Sequence, residues 1–135
     1  MNRGPAAATA RPKSSAVYAI VVGCLMAAMW TFFLASGQVP ELASEPVRIA
    51  LHLAGEFATA ALLVVSGAAS LGSRPWGAVL LPFALGMLAY TVIVSPGYYA
   101  QRGEPAFVAL FAVLLVLTLL FFGLAARRLL STLPR

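Results

Sequence analysis

The chain has 135 residues, of which 61% are hydrophobic and 10% charged, and it carries a formal net charge of +5. Soluble domains run at about 45–50% apolar and about 25% charged, so a soluble globular reading is excluded: its core would outgrow its surface. A basic balance elsewhere points to nucleic acid, but here the charges flank apolar runs, which makes them topology signals and argues against a nucleic-acid partner.

Residues 1–15 are basic and rich in Ala, Pro and Ser, and they read as a disordered cytoplasmic tail. Four apolar spans follow, at residues 16–36, 47–71, 76–95 and 105–126, with a basic tail over 127–135. Each span has roughly the 20 residues that a helix needs to cross about 30 Å of hydrocarbon. Ser44-Glu45-Pro46 offers a capping side chain and a first-turn proline, Gly72-Ser73-Arg74-Pro75 a tight turn, and Gly103-Glu104-Pro105 a second helix start. Short connections between apolar runs predict an all-α integral membrane protein: a four-helix transmembrane bundle, up-down-up-down. Pro82 falls inside the third span, where neighbouring helices can satisfy the carbonyl it frees.

Arg3, Arg11, Lys13, Arg74, Arg127, Arg128 and Arg135 fall on one side of this plan, and only Arg48 and Arg102 on the other. The positive-inside rule then puts both termini in the cytoplasm. Arg outnumbers Lys eight to one, a bias suggestive of a GC-rich bacterial genome and hence of a bacterial cytoplasmic membrane. The single Cys24 excludes an internal disulfide and a CxxC metal site. Val21-Val22-Gly23-Cys24 fits a lipoprotein-processing pattern, but cleavage there would leave too short a remnant of the first span to cross a membrane. Ala35-Ser36-Gly37 resembles a signal-peptidase site, yet the apolar run before it exceeds the usual 7–15 residues. The expectation is an uncleaved first span with Cys24 a buried, unmodified thiol.

The second span carries the chemistry. Glu56 sits well inside it, and a charge at a membrane helix centre costs roughly 2.5–3.5 kcal/mol on insertion scales. At 100° per residue, Arg48, His52, Glu56, Thr59, Ser66 and Ser70 fall within an arc of about 80°. Such a stripe should face protein or water, and Arg48, His52 and Glu56 read as a ladder descending from the outer surface. Glu56 has three states open to it: a neutral carboxyl, a carboxylate paired with protonated His52, or a cation ligand. One His and one Glu fall short of the three or four ligands of a zinc site, so neither a metal nor any other cofactor is expected. A lone acid can also serve only to fix helix register through a hydrogen bond.

Tyr90 of the third span lies at a depth similar to His52 and is the candidate to face the stripe; the alternative is a tyrosine reaching for head groups. Trp30 and Thr31 lie in the outer half of the first span, and Gly23 and Ala27 offer a small-residue contact. In the fourth span only Thr118 interrupts an apolar run, which should pack through Ala109 and Ala112.

The candidate binding residues are therefore Arg48, His52, Glu56, Thr59, Ser66 and Tyr90, with no catalytic assignment. Phosphate-loop, GxSxG, HExxH and paired-Cys motifs are absent. In size, span count and an acid in the second span, the plan resembles small four-span bacterial membrane proteins such as the DoxX-like group. Two function classes follow: a small-solute, proton or ion pathway built as a homo-oligomer, or an accessory subunit docking a membrane-protein partner through the stripe. A membrane enzyme acting on a lipid-soluble substrate stands third.

Overall fold

The computed structural model describes residues 13–132. Arg3, Arg11 and Arg135, with residues 1–12 of the first predicted tail and 133–135 of the second, lie outside the described residues. These form α1 (Ser14–Ala35), α2 (Glu41–Ser44), α3 (Pro46–Leu71), α4 (Pro75–Val94), α5 (Pro96–Gln101) and α6 (Pro105–Thr132), with no strand among the described residues. Prolines open α3, α4, α5 and α6, where a missing N–H costs nothing and a fixed φ favours the first turn. Gly37 and Gly103, both at φ 70°, turn the chain after α1 and before α6.

Four of the helices, α1, α3, α6 and α4 as continued by α5, are long and apolar enough to cross a membrane. Their boundaries depart from the sequence reading at three places. α1 begins at Ser14, inside the predicted tail, because the buried Ser15 hydroxyl donates to the Phe121 carbonyl of α6 at 3.2 Å. α6 continues through Arg127 and Arg128 to Thr132. Ser44 closes the short α2 and gives α3 no side-chain cap.

α1 packs on α3, α3 on α4 and α4 on α6, while α6 returns to α1. Small residues set the closest approaches. A Cβ on Gly67 would meet the Ala16 carbonyl oxygen at 2.7 Å, and one on Gly23 would meet the Ala60 carbonyl oxygen at 2.8 Å. These pairs run α1 antiparallel to α3 in near backbone contact, the device that membrane helices use where no hydrophobic drive separates protein from lipid. Gly77 plays the same part at the start of α4, against Ala69 and Ser70.

α6 meets the core along Phe111, Leu114, Leu115, Thr118, Phe121 and Ala125, a helical stripe of period 3.6. Thr118 anchors it: the Tyr18 hydroxyl lies 2.7 Å from Thr118 Oγ1, and the Tyr18 ring stacks on Phe121 at 4.5 Å. Ala109 and Ala112 fall off this stripe and are exposed, which corrects the expected packing face. Cys24 is likewise exposed on α1, not buried, because Gly23 and Met26 take the inward positions beside it.

Candidate functional site

Glu56 lies about 15 Å along α3 from its first residue, at 1.5 Å per residue. It is 5% exposed. The Trp30 indole of α1 donates Nε1–H to Glu56 Oε2 at 3.1 Å. His52 Nε2 stands 3.8 Å from Glu56 Oε1, beyond hydrogen-bonding range, and the His52 ring meets the Trp30 indole edge-on at 5.6 Å. Three side chains from two helices thus form one cluster. Val39, Ile49 and Leu53, with Phe33, Leu34 and Phe57 against them, form an apolar cluster into which Trp30 also packs.

Of the two carboxylate oxygens, Oε2 is occupied and Oε1 accepts no hydrogen bond among the described residues. Interhelical hydrogen bonds in a membrane protein average about 0.6 kcal/mol and reach about 1.7. Trp30 alone therefore does not offset the roughly 2.5–3.5 kcal/mol cost of an inserted charge.

Glu56 lines a groove of about 950 Å³. His52, Gly55 and Thr59 of α3 share one wall with it, and Pro82, Phe83, Gly86, Met87, Tyr90 and Thr91 of α4 form the other, with Phe122 of α6 alongside. Its lining is mostly apolar, with His52, Glu56 and Thr59 as the polar groups of the α3 wall and Tyr90 and Thr91 those of the α4 wall.

The remaining predicted residues separate into three groups. Tyr90 lines the same groove but is 70% exposed, and its hydroxyl makes no hydrogen bond among the described residues. Thr59 and Ser66 are buried, and each hydroxyl donates to its own helix, Thr59 to the Gly55 carbonyl at 2.8 Å and Ser66 to the Leu63 carbonyl at 3.3 Å. Ser66 does not line the groove. Arg48 turns away from His52 and pairs with Glu45, so the ladder of three stops at two. An exposed guanidinium finds its carboxylate one turn back on the helix surface more cheaply than it enters an apolar groove.

Trp30 is the site residue that the sequence reading missed. The available signal was an indole N–H inside a span, which wants an acceptor, together with an unpaired intramembrane acid elsewhere. Among the described residues no group of three or more His, Cys, Asp or Glu side chains comes together to hold a metal ion.

Four helices of membrane-spanning length and composition, with their apolar faces largely uncovered, define a multi-pass membrane protein. The chain belongs to the family described as Domain of unknown function (DUF8058), whose model matches residues 10–131. No curated protein and no solved structure matches it.

Proposed function

We propose that this is a membrane-embedded small-solute binding protein whose site is the His52–Glu56 pair at the floor of the groove between α3 and α4. In the membrane it is a four-helix up-down-up-down bundle with both termini cytoplasmic. The carrying observation is the discontinuity of the polar stripe. His52 and Glu56 line the groove, whereas Ser66 is buried with its hydroxyl turned to its own helix. That arrangement supports lateral access from the groove to one polar point and argues against a proton or ion path through a single protomer. Passage across the membrane would need a second copy of the chain to complete it.

Cysteine accessibility tests this reading. In a Cys24→Ala background, Tyr90→Cys and His52→Cys should react with a small membrane-permeant thiol reagent in vesicles, and Ser66→Cys should stay unreactive. Equal reaction at all three positions would mean a continuous aqueous path and would defeat the groove reading.

The accessory-subunit reading has one observation in its favour. His52 and Glu56 of the second-span stripe line an open groove, where a helix of a membrane partner can dock. A partner retained in fixed ratio through purification, with loss of reaction at Tyr90→Cys in its presence, would favour docking over solute binding.

A further inference from the structure

We infer that the ligand of the groove is a membrane-soluble monocation, a protonated amine on an apolar body, which donates an N–H to Glu56 Oε1. This rests on the groove reading above and adds the chemical class of what enters it.

The charge distribution carries the inference. Glu56 is the only acid within the four long helices; Glu41, Glu45 and Glu104 lie in or beside the short helices and loops. No permanent cation among the described residues reaches it. Arg48 is engaged by Glu45, and Arg102 by Glu104 and Tyr98. Lys13 and Arg74 flank the opposite ends of the helices, and Arg127 and Arg128 lie in the last two turns of α6. His52 stands 3.8 Å off, within ion-pair distance when protonated but too far to donate a hydrogen bond, so Oε1 keeps room for a donor. The carboxylate is more than nine-tenths buried, has one oxygen free, and lines a groove rather than a packed interface.

The walls set the rest of the ligand. Phe83, Tyr90 and Phe122 put aromatic rings along an otherwise aliphatic groove, and aromatic faces attract a desolvated cation. A groove of about 950 Å³ is near the upper end of the usual small-molecule site volumes. An anion meets like charge at the floor. A neutral alcohol satisfies the free oxygen but brings no counter-charge. An amine with an apolar tail satisfies both.

The test uses the full chain in zwitterionic phosphatidylcholine nanodiscs, with Trp76→Phe so that Trp30 is the sole tryptophan. Trp30 emission reports events at Glu56 because the indole is bonded to it. Dodecylamine and dodecanol, matched in tail, are titrated with correction for partition into lipid. The expected result is saturable change in Trp30 emission with dodecylamine at least tenfold tighter than with dodecanol, and loss of that preference in Glu56→Gln. Equal affinity for the two probes would overturn the cation while leaving the groove reading in place. No saturable response to either probe would overturn both. The amine–alcohol comparison is made on the unaltered site, so it decides the matter even if Glu56→Gln does not fold.

Discussion

Trp30 holds Glu56 across the α1–α3 interface, indole nitrogen to carboxylate oxygen, at 3.1 Å. The bond joins a side chain near the end of one long helix to an acid well inside its neighbour. It therefore links the packing of the fold to the chemistry of the groove.

Removing the donor should be costly. Trp30→Phe keeps most of the ring and deletes the N–H, so one carboxylate oxygen is left without its partner. The expected loss is about 1–3 kcal/mol of stability, the usual penalty for a buried group stripped of its hydrogen bond. Reversible unfolding in detergent measures it. A double-mutant cycle with Glu56→Leu, which removes the acceptor, should show coupling between the two positions; additive effects would mean that the bond does not exist in the membrane.

Glu56 itself discriminates between charge and shape. Glu56→Gln retains an acceptor for Trp30 and should fold with near-parental stability. Glu56→Leu strands the indole N–H and should be less stable than the Gln variant by about 1–3 kcal/mol. Parallel thermal melts of the two variants compare them, and a Leu variant as stable as the Gln variant would contradict the assigned contact.

The glycines of α3 make a steric pair. Gly67→Leu forces a side chain against the Ala16 carbonyl and Ile20, and should destabilise by about 1–3 kcal/mol, as overpacking does. At Gly55 a Cβ has open space within 4 Å, so Gly55→Ala should be neutral or gain up to about 1 kcal/mol from helix propensity. The contrast between two glycines on one helix is the measurement, and a reversed order would reject the register of α1 on α3.

The topology has its own test. Reporter fusions after Arg135 and within residues 38–44 should report opposite sides of the membrane, with the C-terminal fusion cytoplasmic. A shared side for the two fusions would refute four spans.

The four long helices were legible because hydropathy and proline placement act along one segment at a time. So was the polar arc on α3, since angular position on a helix follows from spacing alone. What spacing cannot supply is the identity of the facing neighbour. Trp30, Tyr18 and Ser15 each find partners on another helix, and those pairings depend on how closely small residues let the backbones approach. Arg48 failed for a related reason: a helical wheel assigns an arc, while the structure decides which edge of the arc is covered. The seam through Thr118 displaced Ala109 and Ala112 in the same way, because one hydroxyl pair fixed the rotation of α6.

Ala16, Gly23 and Trp30 follow one another at seven-residue steps along α1, and the first two lie against Gly67 and Ala60. The inward side chains thus grow from a methyl and a hydrogen to an indole. The small residues let the two backbones touch at one end of the contact, and the indole at the other end supplies the donor to Glu56. The sizes of residues 16, 23 and 67 therefore bear on where α1 sets its indole, more than a turn away from the acid that the indole serves.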